Sequence, residues 1–229
     1  MKLKIISWNI WVKGNFDLIS SFLKESSADI ICLQEVQADD PNMDVIKFLS
    51  GFGYHNVFAP VQRTHSGKTW NDGPAIFSRY PIVKKATYIL SRVNGRAAVF
   101  TDIKIDDIVF HVFNTHLMHT HQKYSEIQDE QVTNLLDRLP RDRTILVGDF
   151  NSTPDSATIK KARSVLVDSD PSSKPTWSQY VEGCDKCKLG DISIRLDYIF
   201  TTKDFKTSVF KVESSKASDH LPISVTVEI

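Results

Sequence analysis

The chain is poor in cysteine: its 229 residues contain three, Cys32, Cys184 and Cys187. So low and odd a count excludes a secreted scaffold framed by disulfides. Cys184 and Cys187 form a single C-x-x-C, and a zinc site needs about four ligands, with no second pair here to supply them. They read as two loop thiols, with a redox pair or disulfide as the alternative. Cys32 sits in the apolar run Ile30-Ile31-Cys32-Leu33 and is expected as a core thiol. Long hydrophobic runs are missing too. A signal peptide needs roughly 7–15 apolar residues and a membrane helix about 18, so a soluble, cytoplasmic protein without stable membrane association is expected. No charge of either sign dominates, since Lys plus Arg and Asp plus Glu are both 28. This excludes a binder that works by bulk positive charge, though not a local basic patch. There is no internal repeat, low-complexity tract or Pro/Gly/Ser-rich linker, so residues 1–229 read as one domain, expected as a monomer.

What is present is a series of short apolar strands with a few helical stretches. Strands are expected at residues 2–9, 29–34, 75–78, 97–105, 108–115, 144–147, 195–201, 205–212 and 221–228. Asp106-Asp107 should join two of them as a tight hairpin. Phe16, Ile19, Phe22 and Leu23 recur at helical spacing. A short helix around Val45–Leu49 should stop at Gly51, a longer one should run from about 123 to 139 before Pro140, and another should cover 157–162. Two sheets packed face to face, with helices on the outsides, would bury this pattern.

The polar residues gather at strand ends. Asn9 ends the first strand and Gln34-Glu35 the second. Asn114-Thr115-His116 ends the long central one, Asp149 and Asn151 follow residues 144–147, and Asp219-His220 precedes the last. Asp197 lies inside an apolar strand, Leu196-Asp197-Tyr198-Ile199-Phe200, where a carboxylate is costly unless paired. Singly, Asn9 reads as a turn residue, Glu35 as an exposed carboxylate, His116 as a structural hydrogen-bonder and Asp219-His220 as a loop. Together, at one sheet edge, they make a pocket of carboxylates, amides and imidazoles. Hard oxygen ligands point to Mg²⁺ or Mn²⁺ rather than zinc. Two histidines allow His–Asp pairs, and metal, imidazolium and an Asp base together suit attack of water on a phosphate ester.

These residues fall in motifs that the chain shares with a known family. Trp8-Asn9, Gln34-Glu35, Gly73-Pro74-Ala75-Ile76-Phe77-Ser78, Asn114-Thr115-His116-Leu117, Gly148-Asp149-Phe150-Asn151, Leu196 to Phe200 and Ser218-Asp219-His220 occur in one order across residues 8–220. In this the chain resembles the endonuclease/exonuclease/phosphatase superfamily. The resemblance implies a four-layer α/β sandwich of two mixed β-sheets with helices outside. It implies Glu35 as principal metal ligand, with Asn9 and Asp219 nearby, and Asp149 as base for the attacking water, oriented by Asn151. It implies that Asp197 pairs with His220, whose imidazolium contacts the phosphate, and that His116 is a second phosphate-contacting histidine. Some members pair that histidine with a Glu, and the nearest position here is Asn71. Where many small members carry an Arg after the T-H-L motif, this chain has Gln122, Lys123 and Glu126.

The substrate is expected to be a phosphoester, with nucleic acid favoured. Residues 63–70, with Arg63 and Trp70, read as a basic and aromatic loop able to follow a nucleic-acid backbone and stack a base; the same loop also reads as simply solvated. Trp177, in Pro175-Thr176-Trp177, should flank the cleft. The alternatives are a phosphatase or phospholipid diesterase acting on inositol phosphates or sphingomyelin, and a non-catalytic module that has kept the fold.

Overall fold

The computed structural model describes residues 1–65, 67–91, 95–177 and 194–228. Cys184 and Cys187 lie outside the described residues. In the first sheet, β1 (Lys2–Asn9) runs parallel to β2 (Ile30–Gln37), with α1 (Phe16–Ser26) between them in sequence. After α2 (Val45–Gly51), the strands β3 (His55–Phe58), β4 (Val61–His65) and β5 (Lys68–Ser78) join the same sheet, as do β12 (Lys206–Val212) and β13 (Ile223–Glu228). Its order is β12-β13-β1-β2-β5-β3, with β4 also on β5. The second sheet contains β6 (Ile82–Ser91), β7 (Arg96–Ile105), β8 (Ile108–His116), β9 (Thr144–Asp149), β10 (Val167–Asp168) and β11 (Asp197–Thr201), in the order β10-β11-β9-β8-β7-β6. Its β8 and β9 are parallel, flanking α3 (Glu126–Leu136), and α4 (Ala157–Arg163) follows.

Alternate side chains of a strand point to opposite faces, and both faces of both sheets are covered. Ile5, Cys32 and Ile76 of one sheet meet Val99, Val112 and Ile145 of the other in the central cluster. On the outer face of the first sheet, Ile6, Leu33 and Phe77 pack with Ile19 and Leu23 of α1 and Val45 and Leu49 of α2. On the second, Phe100, Phe113 and Leu146 pack with Val132 and Leu135 of α3 and Ile159 of α4. The result is the four-layer α/β sandwich. Each such side chain contributes about 1.5–3 kcal/mol when fully buried. Cys32 is a buried free thiol, and burial pushes its pKa up, so it is an inert core group.

Side-chain caps set the helix starts. Asn15, Asp44, Ser125 and Ser156 each accept from a backbone N–H in the first turn of α1, α2, α3 and α4. The Ser125 cap shortens α3 against expectation: it covers Glu126–Leu136 rather than 123–139. The Asp106-Asp107 turn is present, joining Ile105 to Ile108 with Asp106 in the left-handed region. The expected loop at 63–70 is instead a hairpin between β4 and β5, in which Arg63 pairs with Trp70 across the strands. The strand expected at 75–78 therefore begins at Lys68, and β6 was not anticipated at all. No helix among the described residues is long and apolar enough to cross a membrane.

Candidate active site

Two parallel strand pairs aim the polar strand ends at one edge. Asn9 lies beside Gln34 in the first sheet, and His116 beside Asp149 in the second. Asp197 opens β11 opposite Asp149. A buried amide clamp fixes the two sheets together: Gln34 Nε2 donates to Asn114 Oδ1 at 2.7 Å, and Asn114 Nδ2 donates to the carbonyls of Leu33 and Ala75 at 2.8 Å. These two strand-end amides thus hold the scaffold rather than the cleft. The turn before β13 is tied down as well, with Trp8 Nε1 donating to His220 O at 2.9 Å and Ser218 Oγ donating to Asn9 O at 2.7 Å.

Asp149 is at the centre. Its Oδ1 accepts from the backbone N–H of Asn151 at 2.8 Å. Its Oδ2 accepts from Asn9 Nδ2 at 3.1 Å and Asn151 Nδ2 at 3.3 Å, and lies 3.3 Å from His116 Nε2 and 3.6 Å from His220 Nε2. Burial pushes the Asp149 carboxyl up to about 7 despite these donors and the opposing charge of His220. Gly148, at φ +147°, makes the position possible: a Cβ there would lie 2.1 Å from Thr115 O across the β8–β9 pair.

The neighbouring histidines are pushed in opposite directions. Burial acts to lower the pKa of His220, but the carboxylates of Asp197 and Asp149 outweigh it and hold the imidazolium up to about 10. The Asp197 contact is a hydrogen bond of 2.9 Å from His220 Nδ1 to Oδ2, and that oxygen also accepts from Thr176 Oγ1 at 2.6 Å. His116 is kept neutral by burial and by Arg96 and Arg63, well below the usual range. Arg63 Nη2 lies 3.4 Å from its Nδ1, which assigns that nitrogen as acceptor and places the proton on Nε2, facing Asp149.

Glu35 is not an exposed carboxylate. It sits in β2 at a register shift between Leu33 and Val36, with φ +59°, and the bulge turns its side chain into the cleft. Its Oε2 accepts from Val12 N at 3.0 Å, and its Oε1 lies 3.4 Å from Asn9 Nδ2. Asp219 accepts from Trp177 Nε1 at 3.4 Å. Burial raises its carboxyl to about 6, with the charge of Glu35 adding to the rise and His220 opposing it.

The cleft has a volume of about 460 Å³ and brings together Asn9, Glu35, His116, Asp149, Asn151, Asp219 and His220, with Arg63, Trp70 and Trp177. Asp197 lies behind them, 0 % exposed. Asn71 is not in this cleft; it donates to Asp39 Oδ2 at 2.6 Å. The partner of His116 is instead Arg63, whose Nε pairs with the buried Asp72 Oδ1 at 2.9 Å. Further residues complete the site without a role assigned to them from the sequence. Thr176 orients Asp197, and Trp11 adds a ring to the cleft. His119 meets Asn151 Oδ1 at 2.8 Å. Arg96 is 8 % exposed and lines the cleft; burial and the neighbouring Arg63 pull its pKa down to about 9. The spacing His116, His119, His121 was a visible signal for His119. A single Arg opening a strand gave none for Arg96.

Over residues 6–220 the chain matches the model of the Endonuclease/Exonuclease/phosphatase family. The chain belongs to that family. Members of this family are hydrolases acting on phosphoester bonds, and this chain is a phosphoesterase of that type. A sphingomyelinase C of Bacillus cereus is 23 % identical over 267 residues, covering 96 % of this chain and 79 % of the relative. A family structure from Beutenbergia cavernae superposes with a TM-score of 0.82 at 21 % identity, covering all of this chain and 72 % of that one. ANGEL2, described as a 2′,3′-cyclic phosphatase, gives 0.80 at 17 %, covering 99 % of this chain and 95 % of that one. The human Nocturnin catalytic domain gives 0.75 at 21 %, covering 99 % and 93 %. At these identities the structural likeness speaks for the fold.

Among the described residues, Asp149, Asp197 and His220 form a buried group with ligand atoms within 4.8 Å of one another, a spacing that can hold a metal ion. Their protonation and pairing argue against a metal there. Both ring nitrogens of a protonated His220 are donors, one to Asp197 and one facing Asp149, and an imidazolium has no lone pair to offer a metal.

Proposed function

We propose that this protein hydrolyses phosphodiesters with the help of a divalent cation, and that nucleic acid is its substrate class. The observation that carries the chemistry is the line Asp197–His220–Asp149: an imidazolium between two carboxylates, of which Asp149 is raised toward neutral pH. Such a pair of shifted groups supplies a base and a cationic hydrogen-bond donor at the same pH. Asp149 accepts a proton from the attacking water, and Asn151 and Asn9 hold its carboxylate in place. His220 presents Nε2–H to the phosphoryl oxygens where negative charge develops, and Asp197 with Thr176 keeps the ring oriented. His116, neutral, donates from Nε2.

The residues around Glu35 fit Mg²⁺ or Mn²⁺. Glu35, Asp219 and Asn9 line the same cleft with hard oxygen donors, and a cation there would offset the repulsion between the two carboxylates. When bound, it supplies charge neutralisation at the phosphoryl oxygens.

The cleft lining supports a nucleotide substrate: Trp11 and Trp70, both half-buried, offer rings, and Lys13, Arg63 and the buried Arg96 offer cations. A second reading, a phospholipid diesterase, is favoured by the sphingomyelinase C relatives, which match over most of the chain. A panel of abasic DNA, single-stranded DNA, RNA, inositol phosphates and sphingomyelin, assayed with Mg²⁺ or Mn²⁺, separates them. Turnover of a nucleic acid above all others supports the proposal, and turnover of sphingomyelin alone replaces it with the second reading.

A further inference from the structure

We propose that Arg63 and Arg96 form a second anion subsite beside the cleft, which takes a non-scissile phosphate of the substrate. This rests on the phosphodiesterase reading and narrows it to substrates that carry a further phosphate next to the one cleaved. A pocket of about 480 Å³ opens between β4 and the start of β7, with Arg63 and Thr64 on one wall, Gly95 and Arg96 on the other and His119 at the side. Arg63, Thr64, Arg96 and His119 line the catalytic cleft as well, so the two spaces adjoin. A ligand with phosphorus at Asp149 and His220 can therefore extend into it.

The chemistry of the pocket selects an anion. Among the described residues no carboxylate lines it, and two guanidiniums do. Arg63 is partly neutralised by Asp72. Arg96 is not. It is 8 % exposed, and its Nε and Nη1 have no hydrogen-bond partner among the described residues. Glu35, Asp149 and Asp72 are near enough for their charge to be felt, yet none forms an ion pair with it. A buried guanidinium with two of its nitrogens unpaired is costly, and its planar fork matches two oxygens of a phosphate. Gly95 brings it into place. At φ +48° a Cβ there would come 2.6 Å from Val61 Cγ1, so a side chain at this position would press on β4, and glycine eases the close approach of the start of β7. A choline head group, a cation, finds no counter-charge here.

The test compares three diesters: bis(nitrophenyl) phosphate, a thymidine dinucleotide, and the same dinucleotide with a terminal phosphate. For the wild type, kcat/KM should be at least about tenfold higher with the terminal phosphate than without it, as expected for a bidentate charged contact. Arg96→Gln should remove most of that preference through KM, and Arg96→Lys should keep part of it, as a point charge without the fork. Equal wild-type rates on the two dinucleotides overturn the subsite whether or not any variant folds. So does a loss in Arg96→Gln that is the same on all three substrates. Inorganic phosphate that binds the wild type but not Arg96→Gln, with equal dinucleotide rates, would mean a site for the free ion and would overturn the assignment to substrate. Activity on none of the three overturns the reading of a phosphodiesterase acting on nucleic acid, and the subsite with it. Turnover of bis(nitrophenyl) phosphate without dinucleotide preference leaves that reading standing and overturns the subsite alone.

Discussion

His220 donates from Nδ1 to Asp197 Oδ2 across 2.9 Å, in a place where both side chains are almost fully buried. A carboxylate in such surroundings is tolerable because it is paired, and the imidazole is charged because the carboxylate is there. Asp197→Asn should therefore leave the shape but release His220 from its raised pKa. We expect kcat to fall by about 10²–10⁴ and the alkaline limb of the pH–rate profile to move to lower pH. A rate loss with an unmoved alkaline limb would separate Asp197 from the charge on His220.

The pH dependence follows from the same shifts. Asp149 must be ionised to accept a proton, and burial has raised it to about 7, so kcat/KM should climb as pH rises through that region. His220 must be protonated, and it stays so up to about 10, so the rate should fall above that. The limbs belong to the carboxylate–imidazole set as a whole, which titrates together. A flat profile between pH 5 and 9 measured with bis(nitrophenyl) phosphate would contradict the assignment of Asp149, given its value of about 7.

Gly148→Ala tests the backbone beneath the site. The added Cβ would meet Thr115 O at 2.1 Å, so β8 and β9 must part or bend. Overpacking of this kind costs about 1–3 kcal/mol, which for a chain of this size lowers Tm by about 2–4 °C per kcal/mol. Thermal unfolding followed by circular dichroism reads it directly. An unchanged Tm would mean that the close approach is not rigid.

Glu35→Gln keeps the hydrogen bond of the side chain to Val12 N but removes a charge from the cleft. Metal affinity, read by titrating Mn²⁺ into the chelated protein, should fall by at least about tenfold, with activity falling in parallel. Unchanged affinity would move the cation site elsewhere, with the Asp149, Asp197 and His220 group the next candidate.

The candidate site was largely legible in the sequence because polar side chains at the ends of apolar strands stand out, although two of them, Gln34 and Asn114, join the sheets rather than line the cleft. Asn9, Glu35, His116, Asp149, Asn151 and Asp219-His220 all meet in one cleft. The hairpin at residues 61–72 was not legible, because Thr64 to Thr69 is polar throughout and its pairing is made by backbone groups. The edge strand β6 exposes Val83, Lys84 and Lys85 in succession, so neither period stands out. Arg96 escaped for a different reason. Its burial depends on β4 passing in front of it, and no local pattern shows a tertiary neighbour. Asn71 was misassigned because motif order gives sequence neighbourhood, whereas the contact to His116 comes from Arg63 on the paired strand.

The central claim is that Asp149 is the base of a cation-dependent phosphodiesterase. The most direct measurement is the rate of bis(nitrophenyl) phosphate hydrolysis by the wild type and by Asp149→Asn, each with Mn²⁺ and each after EDTA, with circular dichroism to confirm folding. The account predicts activity for the wild type with Mn²⁺ alone, lost on chelation and restored by Mn²⁺ or Mg²⁺, and a folded variant slower by about 10²–10⁴. Wild-type kcat in the folded Asp149→Asn variant, or full wild-type activity in excess EDTA, would contradict it.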